Sequence, residues 1–175
     1  MTRLILCTLV SLSLFSCGSS DLRQGDVLYL RNKGADMPAY VYGNTASKVF
    51  MILLHGGPGG NGLEYRSGSY VEKLENEIAV VYWDQRGQGS ARGNNHHETV
   101  GMPLLMDDLD KLITLLKHEY GSDISLFLFG HSWGGTYGTQ YLMSPTRQQQ
   151  FKGWIEADGA HDIPRLNTEA IKLFI

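Results

Sequence analysis

The chain has 175 residues, 15 of them Lys or Arg and 18 Asp or Glu, for a formal net charge of -3, which is enough for about one domain. Hydrophobic residues make up 42% and charged residues 19%, a globular balance that argues against disorder. No basic run or stripe is present to hold nucleic acid. The two cysteines have no Cys-x-x-Cys or Cys/His spacing, so no metal site and no cofactor is expected.

Residues 1–17 begin Met1-Thr2-Arg3, run through an apolar stretch from Leu4 to Phe15, and end in Ser16-Cys17. A short basic start before an apolar stretch too short to span a bilayer reads as a secretory signal. Its end, Leu14-Phe15-Ser16-Cys17, resembles the bacterial lipobox. That resemblance implies cleavage before Cys17 and lipidation of its thiol, hence an exported protein anchored in a bacterial cell envelope. An ordinary signal with an incidental cysteine, or a signal anchor, is the plainer alternative. Residues 18–25, with Gly18-Ser19-Ser20-Asp21, read as a flexible tether.

The body is expected over residues 26–162. Val27–Leu30 and Ala39–Tyr42 suggest an antiparallel hairpin joined through Asn32-Lys33-Gly34. Three continuous apolar runs follow, Val49–Leu54, Ile78–Trp83 and Ile124–Phe129. Continuous rather than alternating apolar character marks strands covered on both faces, as in a parallel sheet. Between them, Leu105, Leu109, Leu112 and Leu116 form one stripe at helical spacing, which predicts a helix over about Pro103–Tyr120. Pro103 suits its first turn and Gly121 its end. Asp107 and Asp108 are expected near the positive end of the helix dipole, Lys117 and His118 near the negative end. A second helix is predicted from Ser132 to about Met143, with Pro145 beyond it, and a further strand over Gly153–Ala157. Strands alternating with helices give an α/β sheet with crossovers.

Each buried run ends in a loop rich in glycine or polar residues: His55-Gly56-Gly57-Pro58-Gly59-Gly60, Asp84-Gln85-Arg86-Gly87-Gln88-Gly89-Ser90, and Gly130-His131-Ser132-Trp133-Gly134-Gly135. In a parallel sheet these carboxyl ends share one edge, where ligands bind. Gly130-x-Ser132-x-Gly134 between a strand and a helix has the form of a nucleophile elbow, with Gly130 and Gly134 small because the turn brings them together. The plainer alternative is a glycine-rich turn with a helix-capping serine. An acyl-transfer site needs two N–H groups aimed at the oxyanion. The expected donors are Trp133, just after the serine, and Gly57, chosen over Gly56. His55 is expected to be structural, and His131 to pack away from Ser132.

Together these three loops resemble the proline iminopeptidase group of α/β-hydrolases, serine peptidases of the S33 type. The stretch from Asn95 to Asp110 is also similar. The resemblance covers residues 25 to 160 or so. It implies an α/β-hydrolase fold, a mostly parallel sheet with an N-terminal antiparallel hairpin. It also implies release of an N-terminal residue, often proline, from small peptides through an acyl-enzyme on Ser132, with Asp84 and Arg86 bracing the oxyanion loop. The same scaffold carries esterases, so a small ester is the alternative substrate.

An α/β-hydrolase triad runs Ser, then Asp or Glu, then His along the chain. After Ser132 the acids are Glu156, Asp158, Asp162 and Glu169, and His161 is the only histidine. His161 follows its strand too closely to be the usual base. Residues 163–175 read as the start of a lid helix, with Leu166, Ala170, Leu173 and Phe174 on one face. The chain is therefore expected to stop before the last strands and most of the lid, and to be severely impaired alone. A binding protein that kept the scaffold without its triad is the non-enzymatic alternative.

Overall fold

The computed structural model describes residues 25–94, 101–162 and 165. Apart from Gly25 and Arg165, the signal and tether expected over 1–25 and the lid helix expected over 163–175 lie outside the described residues.

The hairpin pairs β1 (Asp26–Asn32) with β2 (Ala35–Gly43) from Asp26↔Val41 to Asn32↔Ala35. Lys33 and Gly34 turn the chain with φ of 45° and 82°, the two positive values that a tight two-residue hairpin requires. The remaining strands are β3 (Val49–Leu54), β4 (Ala79–Trp83), the short β5 (Arg92–Gly93), β6 (Ser125–His131) and β7 (Phe151–Ala157). The helices are α1 (Tyr70–Glu77), α2 (Met102–Tyr120), α3 (Trp133–Leu142) and α4 (Pro145–Gln148).

Among the described residues one sheet runs β1-β2-β4-β3-β6-β7, with β5 paired to β2. β4, β3, β6 and β7 are parallel, while β2 meets both β1 and β4 antiparallel. This is the expected fold: mostly parallel, with an antiparallel hairpin at its N-terminal edge. The chain leaves β3 toward β4 on one side and leaves β6 toward β7 on the other. Such a reversal opens a crevice at the carboxyl ends of the two strands.

The larger core lies beneath α2 and α3. Leu105, Leu109, Leu112 and Leu116 are all buried there, as the helical stripe predicts, against Phe50, Ile52, Val81 and Trp83. On the opposite face Met51, Leu53, Val80 and Tyr82 form a smaller cluster with Leu74 of α1. β3 and β4 are thus covered on both faces. β6 is not: Phe127 and Phe129 are only half-buried, and Ile155 of β7 is 51% exposed. α1 lies over β2 and β4, so its cover does not extend across the sheet.

Several local expectations are corrected. Asp108 does not serve the helix dipole. It lies beyond the first turn of α2, fully buried, where it pairs with Arg86 at 2.6 Å. Asp107 instead accepts from Asn32 Nδ2 at 2.9 Å and meets Lys33 Nζ at 3.0 Å. Pro145 does more than follow a helix end, since it opens α4. Helix α1 carries no apolar stripe to reveal it, because Val71 and Leu74 are its only aliphatic residues.

Candidate active site

Ser132 sits between β6 and α3 with φ 52° and ψ -115°. A non-glycine residue avoids that region, at a cost of roughly 1–3 kcal/mol, unless its surroundings hold it there. Two close approaches do so. A Cβ on Gly134 would lie 1.9 Å from the Leu54 carbonyl oxygen, and one on Gly130 would lie 2.4 Å from the Gly134 oxygen. Only glycine fits either place. The strand-to-helix turn is further stitched to the end of β7 and the segment after it: Ser132 N–H donates to Ala157 O at 3.0 Å, and Ala160 N–H to Ser132 O at 3.3 Å. Ser132 is the N-cap residue of α3, yet its side chain makes no capping bond. The hydroxyl is not used as a helix cap.

The loop after β3 lies against this turn. A Cβ on Gly56 would come within 3.4 Å of Ser132 Cβ. Gly56 N–H donates to the Tyr65 hydroxyl at 2.8 Å, and Gly59 N–H donates to Gln88 Oε1 at 2.8 Å. Between them Gly57, with φ 142° and followed by a cis peptide bond to Pro58, gives its N–H to no acceptor among the described residues. The Trp133 N–H stands at the positive end of α3, where backbone donors favour negative charge.

His55 is fully buried. Its Nε2 accepts from Gln85 N–H at 3.4 Å, while Nδ1 stands 2.8 Å from Gly56 O. These partners suit a neutral ring with its proton on Nδ1, and burial pushes the imidazole below its ordinary value. Gln85, also fully buried, ties the loops together. Its Nε2 donates to His55 O at 3.2 Å, and its Oε1 accepts from Trp133 Nε1 at 3.2 Å. Asp84 accepts from Gly62 N–H at 2.8 Å and Ser90 N–H at 2.7 Å, tying the far end of the loop after β3 to the far end of the loop after β4.

Arg86 lies elsewhere than expected. Its guanidinium turns away from the loop after β3, toward Asp108 and the Asn32 carbonyl (2.8 Å) and Asn94 carbonyl (3.0 Å). It braces the second loop against β1 and α2, because the buried Asp108 is its charge partner. His131 does more than pack: its Nδ1 is 2.6 Å from the Tyr65 hydroxyl. His161 Nε2 is 2.6 Å from Glu156 Oε1 and holds that carboxyl below the usual carboxylate range. The described histidines near the loops are thus each bonded to groups other than Ser132.

Tyr65, Gln85 and Gln88 escape sequence reasoning as site residues. The two glutamines stand within the loop after β4, but no local pattern indicates which backbone group each would reach. Among the described residues no helix is long and apolar enough to cross a membrane.

The sheet order, the crevice and the strained Ser132 turn define an α/β-hydrolase. Residues 47–174 match the profile of the family described as serine aminopeptidase, S33, and the chain belongs to that family. It is 34% identical over 104 residues to the "Probable aminopeptidase YbaC" of Bacillus subtilis (strain 168), covering 58% of this chain and 32% of that protein. It is 30% identical over 140 residues to a proline iminopeptidase of Saccharolobus solfataricus, covering 78% of this chain and 41% of the relative. The chain therefore spans about two-fifths or less of these curated relatives. Among solved structures, a proline iminopeptidase-related protein from Thermus thermophilus superposes with a TM-score of 0.61 at 26% identity, over 76% of this chain and 44% of that one.

Proposed function

We propose that this S33-family hydrolase works through an acyl-enzyme on Ser132, releasing N-terminal proline or a similar residue from short peptides. The observation that carries the reading is the Ser132 backbone, φ 52° and ψ -115°, held by two glycines that tolerate no side chain. In this reading that turn lifts the hydroxyl over the edge of the sheet, and Gly57 and Trp133 supply the N–H groups of the oxyanion hole. Those two donors would take the negative charge that develops on the substrate carbonyl oxygen, each worth roughly 2.7–4 kcal/mol of transition-state stabilisation. The reaction also needs an imidazole to take the Ser132 proton and a carboxylate to orient it. In this reading His55 is no candidate for that imidazole, since its ring nitrogens already serve the oxyanion loop and Gln85.

The preference for peptides rests on the named relatives and on the three-loop resemblance. The test is turnover by the native protein of prolyl-naphthylamide against short-chain nitrophenyl esters. Preferential release of naphthylamine, lost in Ser132→Ala, is the expected result. Turnover of esters alone would replace the peptidase reading with an esterase on the same scaffold. Turnover of neither would favour a binding protein.

The lipobox-like Cys17 supports a second, separate proposal, that the protein is exported and anchored to a membrane by acyl chains on that thiol. Several chains would be needed for stable attachment. Incorporation of an alkyne-tagged fatty acid, lost in Cys17→Ser, is the expected result, and an unlabelled protein released by salt alone would contradict it.

A further inference from the structure

The Tyr65 hydroxyl occupies an unusual place. It accepts the Gly56 N–H at 2.8 Å and stands 2.6 Å from His131 Nδ1. It therefore touches the loop after β3 and, through His131, the residue directly before Ser132. A Cβ on Gly56 would meet all three neighbours at once: His131 Nδ1 at 3.0 Å, the Tyr65 hydroxyl at 3.1 Å and Ser132 Cβ at 3.4 Å. The Tyr65 and His131 rings also meet edge to face, with centroids 5.6 Å apart.

Tyr65 is itself firmly held. It ends a one-turn 3-10 segment, Gly62–Tyr65, whose N-cap Asn61 accepts from Glu64 N–H at 2.9 Å. The next residue, Arg66, forks onto Glu75 of α1 at 2.8 and 3.0 Å and stacks on the Tyr42 ring at 3.6 Å. The Tyr70 hydroxyl donates to the Tyr65 carbonyl. A side chain so restrained presents its hydroxyl at a defined point.

We propose that Tyr65 is a positioning residue of the oxyanion hole. By taking the Gly56 N–H, it fixes the His55–Gly56 peptide and with it the course of the chain into the next peptide, so that Gly57 N–H, and not Gly56 N–H, faces the reacting carbonyl. By bonding to His131, it sets that peptide at one distance from the Ser132 turn. The hydroxyl carries one proton and two lone pairs. With one lone pair used by Gly56 N–H, its proton is available to His131 Nδ1, which suits the neutral ring protonated on Nε2. The inference rests on Ser132 being the nucleophile and Gly57 an oxyanion donor.

The test compares the native protein with Tyr65→Phe, His131→Phe and the double variant. Three quantities are read: the rate constant for phosphonylation of Ser132 by a fluorophosphonate, kcat and KM for the preferred acyl substrate, and the thermal midpoint. Displacing an oxyanion donor by about 1 Å can cost roughly 100-fold in rate. Tyr65→Phe is therefore expected to slow phosphonylation and kcat by about 10- to 100-fold with KM within about twofold, because the donor acts on the transition state. The two single variants and the double are expected to lose similar amounts, since the pair acts as one unit. Where Tyr65→Phe is unstable, His131→Phe alone serves, because it leaves the hydroxyl and removes only its anchor.

Unchanged phosphonylation and kcat in a folded Tyr65→Phe protein would overturn the proposal. So would a raised KM with kcat intact. Failure of the underlying reading looks different: label would persist in Ser132→Ala, or would never appear on Ser132 in the native protein, and the proposal would fall with it.

Discussion

Two glycine-rich segments meet at the crevice, and they are held by different means. The turn around Ser132 is shaped mainly by backbone. Gly130 and Gly134 touch each other, and Gly134 touches Leu54 O, so the strained φ follows from contacts that any side chain would destroy. The loop from Gly56 to Gly60 is shaped by side chains reaching in from other elements: Tyr65 to Gly56, Gln88 to Gly59 and Gln85 to His55. A close-packed backbone turn tolerates no change at its glycines and needs little else. A loop held by side chains keeps its course only while each distant partner stays in place.

The sharpest way to break this contrast is Gly134→Ala. The new Cβ would meet a backbone carbonyl at 1.9 Å, and β3 cannot retreat without unpairing from β4 and β6, nor α3 without leaving the core it covers. The expected loss exceeds about 5 kcal/mol, enough to prevent folding, and soluble yield would show it. Next comes Asp108→Ala, which strands the Arg86 guanidinium in a fully buried site. Removing one partner of such a pair costs about 3–5 kcal/mol, readable by urea denaturation.

Gln85→Ala is expected to cost less, about 1–3 kcal/mol for a buried partner left unsatisfied, while slowing Ser132 chemistry because it releases both Trp133 and His55. A rate loss larger than the stability loss implies would sharpen the distinction between the two segments.

The pH dependence is smaller still. Burial holds the folded His55 below its ordinary value, so the folded protein binds fewer protons there than the unfolded chain. Its contribution is intact above about pH 6.5, the unfolded value, and is lost as pH falls through the folded value. Denaturation from pH 7 to 5 checks this, and His55→Asn should flatten that part of the curve. The smallest effect belongs to His161→Ala. Its Glu156 partner lies at the surface, and such pairs contribute about 0–1 kcal/mol.

The contrast also explains what could be read in advance. The hairpin, the buried strands and the Leu105-to-Leu116 helix were legible because run length and periodicity are local properties. The Ser132 turn was legible for the same reason, since Gly130 and Gly134 are two residues to either side. Helix α1 was not, because Leu74 alone reaches the core among mostly charged neighbours. The role of Tyr65 was not legible either. Its bond to Gly56 crosses nine residues and its bond to His131 crosses 66, and a single tyrosine carries no pattern that points so far. Arg86 shows the same limit: the loop motif marked it, but only the fold revealed that Asp108 would be its partner.

The most direct test of the account is the site of covalent labelling by a fluorophosphonate in the native protein, read by peptide mass spectrometry. The account predicts one adduct, on Ser132, absent in Ser132→Ala. No adduct on Ser132, or labelling that survives its replacement, would contradict it.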